Sequence, residues 1–337
     1  MVDGSEAGAG RVDIHAHFFP RLTRAQGAVL GDGGPWLRDD CDGTGWIMAG
    51  DREFRPVGES LWDPAVRVSR MDEHRIDVQV VSATPILFGY DAKPPVAEQW
   101  SRLVNDLAVE MCSDHPDRLR PLCQVPLQDV DRACAEATRA LATGHVGVHI
   151  GNHVGGRNLD DPEMVRFLHY CADEAIPVLV HPWDTMAGDR MPRYMLRWLV
   201  GMPAETHLGI LSLILSGAFE RLPRNLRLCF AHGGGNFAAQ LGRVDNAWHR
   251  RDLVRVDCPD PPSSYVDRFS VDSAVFSDDA LRLLVAVMGA DRVMLGSDDP
   301  FPLGEEQPGR LVETSGHLTD GQKAAVLGQN AARFFDL

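Results

Sequence analysis

Short apolar runs recur along this chain, and most are followed by a stretch long enough for a helix. The runs at Val12–Phe18, Asp77–Ala83, Leu119–Val125, Val146–Ile150, Pro177–His181, Leu226–Ala231, Phe269–Asp272 and Val293–Gly296 are rich in Val, Ile, Leu and Phe. That length and composition suit buried strands. Between them, Val96–Ser113, Asp129–Ala142, Pro162–Glu174 and Asp278–Met288 carry apolar residues at helical spacing. Strands alternating with helices give a parallel sheet, and eight such units predict a closed (β/α)8 TIM barrel of the α/β class. The 337 residues permit one domain or two; the strand tally favours a single domain spanning 1–337. Arg21–Glu59 interrupts the pattern, being rich in Gly, Asp and Trp with no helical period. It is expected to be a small insertion, about residues 21–59, after the first strand. The Pro-rich Cys258–Ser263 segment reads as a surface excursion before strand seven.

Composition narrows the partners. With 48 acidic against 33 basic residues the formal charge is −15, which argues against nucleic acid or an anionic membrane surface. The opening MVDGSEAGAGRVDI has no apolar core of a secretory signal. The longest apolar run, Leu208–Phe219, is about half of the ~20 residues that span a bilayer. Seven scattered cysteines without a CxxC pair are expected to be reduced, mostly buried thiols in a cytoplasmic protein. Only two of the basic residues, Lys93 and Lys323, are lysines.

The chemistry gathers where apolar runs end. His15 and His17 close the first strand, and side chains two apart on a strand face the same side. His181 ends strand five, His232 strand six and Asp298 strand eight. Each polar residue abuts an apolar run, where burial is costly without a partner. The carboxyl ends of barrel strands form the active face. Four histidines and an aspartate on that rim read as a metal site, with zinc favoured over manganese, cobalt or iron by the nitrogen and oxygen donors. Strand four contains no lysine to carry a bridging carboxylate, so one ion is expected. His15, His17, His181 and Asp298 are assigned as its ligands, leaving one position for water. His232 then remains free to act as acid or base on that water. The run His232-Gly233-Gly234-Gly235 also matches an esterase oxyanion loop, but no G-x-S-x-G elbow exists in the chain. The glycines are better read as letting the backbone approach the site. His149 and His153 flank the end of strand four, where they are candidates for contacts to the metal ligands or to the substrate. Other histidines fall in helices or loops.

At these residues the chain becomes recognisable. It resembles the 2-amino-3-carboxymuconate-6-semialdehyde decarboxylases, a mononuclear-zinc family of the amidohydrolase superfamily. The similarity runs nearly end to end, through Val12–Pro20, Phe54-Arg55-Pro56-Val57, Leu61-Trp62-Asp63-Pro64, Gln124–Asp129, Ile150–His153, Met202–Arg221, Leu241–Trp248 and Met294–Glu305. The HxH and HPW elements are shared across the superfamily, whereas the FRPV and LGRVDNAW segments are more specific. The resemblance implies a carboxy-lyase with the ligand set above, one Zn2+ and no organic cofactor. It implies a zinc-hydroxide mechanism with His232 as acid/base, acting in tryptophan/kynurenine or aminobenzoate catabolism. It implies that Arg55 and Arg243 hold the carboxylates of a small dianionic substrate. Arg243 would reach across from a neighbouring subunit of a homodimer. Trp183, Tyr194 and Phe301 are implied as pocket walls.

Two positions depart from the family pattern. Asp299 stands where tyrosine usually follows the metal aspartate, and Tyr194 where the family has tryptophan. On an extended segment Asp299 faces away from Asp298, yet an extra carboxylate near an anion pocket disfavours the usual substrate. The alternative reading is therefore a decarboxylase of a hydroxylated aromatic acid, or a lactone or amide hydrolase, on the same scaffold. A non-catalytic metal-binding scaffold is the third reading, opposed by the intact set of ligands, base and arginines.

Overall fold

The structure, a computed structural model, describes residues 10–337; the part of the N-terminal reading that concerns residues 1–9 lies outside it. Seven consecutive buried residues form β1 (Val12–Phe18). The insertion that follows holds an antiparallel sheet of β2 (Pro35–Asp39), β3 (Thr44–Ala49) and β4 (Arg52–Gly58). Its strands are short and its burial alternates, so no helical period was there to be read. Leu37 and Ile47 bury this sheet against Phe18, Phe19, Leu61 and Trp62 at the barrel mouth.

The barrel itself continues with β5 (Val78–Ala83), β6 (Leu119–Pro121) and β7 (Val148–Gly151), then a two-residue hairpin of β8 (His153–Val154) and β9 (Arg157–Asn158). It ends with β10 (Val178–His181), β11 (Leu228–Phe230), β12 (Ser270–Asp272) and β13 (Val293–Met294). Two parallel sheets, β1-β5-β6 and β13-β12-β11-β10-β7, share the eight strands. Backbone hydrogen bonds close both seams. His149 N donates to Cys123 O at 2.7 Å, and Ile14 N donates to Leu295 O at 2.9 Å. The strands run in chain order around the cylinder, as expected of a (β/α)8 barrel. They are shorter than the apolar runs predict. In the run Leu119–Val125 the regular strand ends at Pro121; Cys123 keeps an isolated bridge to Val148, and Gln124 N donates to Asn105 Oδ1 at 2.9 Å on a covering helix.

The expected helices form at Pro94–Cys112, Val130–Ala142, Pro162–Asp173 and Asp278–Met288. Asp129, Asp161 and Ser277 cap the last three by accepting backbone N–H bonds, which satisfies donors a helix start leaves free. A continuous helix over Arg197–Leu215 is, by its 19 residues and composition, long and apolar enough to cross a membrane. The apolar run counted in the sequence misses it, because a π-helical turn at Arg197–Gly201 runs straight into Met202–Leu215. Its Ile210, Leu213 and Ile214 are buried in the barrel–helix core.

Strand parity sets which side chains reach the barrel axis. In β10, Val178 and Val180 pack with the outer helices, while Leu179 joins an inner cluster with Val12, Ile14, Val80, Leu122, Cys229 and Met294. Phe334 and Phe335 of the terminal helix plug that cluster. In β1 the pairing register shifts between Asp13 and Ala16. Such an irregularity switches the face a strand presents. Val12 and Ile14 face the inner cluster below it, and His15 and His17 face the mouth above it.

Candidate active site

Five side chains from four strand ends converge at that mouth. His15 Nε2 lies 3.2 Å from His17 Nε2, and His17 Nε2 lies 3.1 Å from Asp298 Oδ1. One donor atom each from His15, His181, His232 and Asp298 falls within 4.8 Å of all the others. The ring centres of His15 and His17 each stand 5.0–5.1 Å from that of His181. His232 stands off from the carboxylate, its Nε2 3.9 Å from Asp298 Oδ2.

The outward nitrogens of three imidazoles are already engaged. His15 Nδ1 donates to Asp272 Oδ2 at 2.6 Å, His181 Nδ1 to Pro182 O at 2.6 Å, and His17 Nδ1 lies 3.3 Å from Ser82 Oγ. Their Nε2 atoms are therefore the free lone pairs, and all three face the cluster. Asp272 does more. Its Oδ2 also accepts from His232 N at 2.9 Å, and its Oδ1 accepts from Gly233 N at 2.7 Å and Ala274 N at 3.0 Å. His232 and Asp298 both hold left-handed backbone, with φ 56° and 64°, a conformation that costs a non-glycine residue free energy. The carboxylate of Asp272 offsets this at His232. The glycines after His232 have the packing reason expected of them. At Gly233 (φ 59°) a Cβ would sit 2.4 Å from Val275, and at Gly235 (φ 63°) one would sit 2.3 Å from Pro203 O.

Residues 12–337 match the amidohydrolase family. The chain belongs to that family. It is 40% identical over 331 residues to 2-amino-3-carboxymuconate-6-semialdehyde decarboxylase of Dictyostelium discoideum, covering 97% of this chain and 92% of the relative. It is 31% identical to the Caenorhabditis elegans enzyme of the same name, covering 97% and 94%. Among solved structures, the apo IDCase of Metarhizium anisopliae superposes with a TM-score of 0.84 at 23% identity, over 97% of each chain. A dihydroxybenzoic acid decarboxylase from Polaromonas sp. JS666, with bound manganese and the inhibitor 2-nitroresorcinol, gives 0.79 at 21% identity, over 98% of this chain and 97% of that one. These likenesses fix the amidohydrolase barrel.

The amidohydrolase cluster fits a divalent metal on its own chemistry. Two donors each ~2.05 Å from a tetrahedral ion stand ~3.3 Å apart, the spacing found between the His15, His17 and Asp298 donors. His181 Nε2 is buried with no partner among the described residues. Burial pushes His17 down to about 4 and His181 well below the ordinary imidazole range, so both are neutral donors. Burial also pushes the Asp298 carboxyl up, but the imidazoles of His17, His232 and His15 crowded around it outweigh this and hold the group well below the usual range. The pocket thus presents lone pairs and negative charge to one point. His15, His17, His181 and Asp298 are the residues that would hold the ion.

The remaining expected residues divide. Arg55 reaches the cluster from β4, its guanidinium 4.6 Å above the Phe301 ring and 5.4 Å from Trp198. The Phe301 ring lies 5.4 Å from His17. Trp183 packs edge-on to Tyr90 at 5.5 Å and donates Nε1–H to His153 O at 2.9 Å. Tyr194 is not brought to the cluster: it is 73% exposed, with Arg193 over its ring. Arg243 lies exposed on the helix Phe237–Arg250. Asp299 requires a correction to the electrostatic expectation. It is buried and paired with Arg70 at 2.9 Å and Arg67 at 3.6 Å, so its charge is neutralised before it reaches the pocket. Asp272 and Trp198 went unremarked in the sequence. Asp272 carries the same signal as its neighbours, a polar residue closing an apolar run, whereas nothing local distinguishes Trp198.

Proposed function

We propose that this protein is a metal-dependent, non-oxidative decarboxylase of 2-amino-3-carboxymuconate 6-semialdehyde or a close analogue. What carries the reading is the convergence of three imidazole Nε2 atoms and a carboxylate beside His232 and Arg55, in a chain 40% identical to a decarboxylase of that name. A single divalent ion, zinc by its donor set, would supply Lewis-acid polarisation of a substrate oxygen and of developing negative charge. Arg55, made rigid by its two aromatic neighbours, pairs with one substrate carboxylate. Arg243 of a second subunit pairs with the other, so the complete site belongs to a homodimer. Phe301, Trp183 and Trp198 exclude water around the reacting carbon. His232, held by Asp272 through its backbone, delivers a proton to the carbon that loses its carboxylate. The carbon–carbon bond breaks, CO2 leaves, and a C–H bond replaces it.

The test is turnover of freshly generated semialdehyde by the zinc- or manganese-loaded chain, followed by loss of absorbance and release of CO2, beside 2,6-dihydroxybenzoate. The semialdehyde is expected to react preferentially. His232→Ala should lower kcat by at least about a hundredfold with bound metal unchanged. Retained turnover in that variant removes His232 as the acid/base, and CO2 release from the benzoate alone reassigns the substrate.

A further inference from the structure

His149 is the buried polar group near the centre that the reaction above does not use. It sits in β7 between Val148 and Ile150, whose side chains pack outward with the helices. Its own ring therefore faces the barrel interior. It is fully buried, with its centre 5.6 Å from His181, 6.1 Å from His17 and 4.9 Å from Phe88. Neither Nδ1 nor Nε2 has a hydrogen-bond partner among the described residues. An imidazole always carries at least one N–H, and a buried donor without an acceptor is costly. The wall behind it supplies none. Phe88 stacks on Tyr90 at 5.1 Å, and the Tyr90 hydroxyl is taken up by Gly151 N at 3.0 Å. His232 packs instead on His15 at 5.0 Å and on His181 at 4.9 Å. His149 and His232 both neighbour His181.

We propose that His149 is a specificity-determining residue of the substrate pocket: an imidazole that donates one N–H to an oxygen of the anionic substrate. The proposal rests on the decarboxylase reading for the identity of that substrate. A site built around such a donor rejects analogues that lack the matching oxygen, because the N–H is then left unpaired.

The test uses the metal-loaded full chain, with cis,cis-muconate as a non-reacting dicarboxylate probe. His149→Phe keeps an aromatic ring and removes both nitrogens, whereas His149→Gln retains a donor. Bound metal should be unchanged in both. His149→Phe should raise the KM for the semialdehyde and the calorimetric Kd for muconate by about tenfold, with a smaller change in kcat, and His149→Gln should recover most of the loss. In the parent chain labelled with 15N-histidine, one imidazole N–H resonance, absent from His149→Gln, should shift as muconate is added. That measurement reads the same contact if the Phe variant does not fold. Muconate affinity within about twofold of the parent in His149→Phe, or a resonance unmoved at saturating muconate, would mean a buried water or packing alone and overturns the proposal. Loss of metal from both variants assigns the ring to the ion and overturns it equally. A parent chain inactive on both the semialdehyde and dihydroxybenzoate defeats the decarboxylase reading instead, and the muconate titration still decides the role of His149.

Discussion

Asp272 joins the two halves of the centre through one carboxylate. It fixes the tautomer of His15 through Nδ1, leaving Nε2 for a metal, and it anchors the strained backbone of His232. Burial pushes its carboxyl up, but the hydrogen bond and charge of His15 outweigh this and hold it below the usual range. Asp272→Asn removes one acceptor and the charge while nearly preserving shape. We predict a 10- to 100-fold weaker metal affinity, of the order lost with such outer partners, measured by chelator competition, with circular dichroism unchanged. An unaltered affinity would refute this tie. At the residue scale the sequence is most legible where a polar group abuts an apolar run, because burial there demands a partner. His15, His17, His181, His232 and Asp298 all carry that mark. Tyr194 carried only the resemblance, and its exposed position in the structure gives it no such partner within the chain.

Elements were predicted well in kind and less well in extent. The four amphipathic helices, three of them with side-chain caps, fall within about two residues of their expected bounds, since capping and periodicity are local. Strand ends are decided by pairing partners far away in sequence, and β6 and β13 stop early for that reason. The small sheet β2–β4 lay in a region with no helical period, and it is this sheet that carries Arg55 to the mouth. His145, at the turn between Val130–Ala142 and β7, gives a test at this scale. It is buried, its Nδ1 donates to Ala140 O at 2.9 Å, and its Nε2 has no partner. Burial pushes it down to about 4, against an ordinary 6.5. A histidine kept neutral by folding contributes its full stability above the unfolded value and loses it as pH falls from about 6.5 towards 4, by about 3 kcal/mol. Urea midpoints at pH 7 and pH 4.5 should therefore differ less in His145→Gln than in the parent. Equal pH sensitivity would discount this residue.

At the scale of the molecule, a charge of −15 opposes the approach of a dianion. Capture must come from local positive charge, namely the metal, Arg55 and the Arg243 that we propose a second subunit supplies. Arg243 is exposed in the single chain, so the shared-site proposal has a direct consequence. Co-expressing an inactive His232→Ala chain with an inactive Arg243→Ala chain should restore about a quarter of parental activity, since half of the dimers are mixed and each has one intact site. No recovery, with mixed dimers demonstrated, would show that Arg243 serves its own subunit or none.

The sequence by itself determined the barrel and its polar rim. Apolar runs alternating with amphipathic stretches leave few other ways to bury both faces of a parallel sheet, and barrel topology places strand ends on one face. The tertiary structure decided what surrounds that rim. The register shift in β1 turns His15 and His17 to the mouth, Arg67 and Arg70 neutralise Asp299, and Asp272 couples one imidazole to the backbone of another. These contacts join residues tens to hundreds of positions apart, so no local pattern records them. His149 was visible as a histidine on a strand, but only packing showed both its nitrogens buried, unpartnered and turned to the centre.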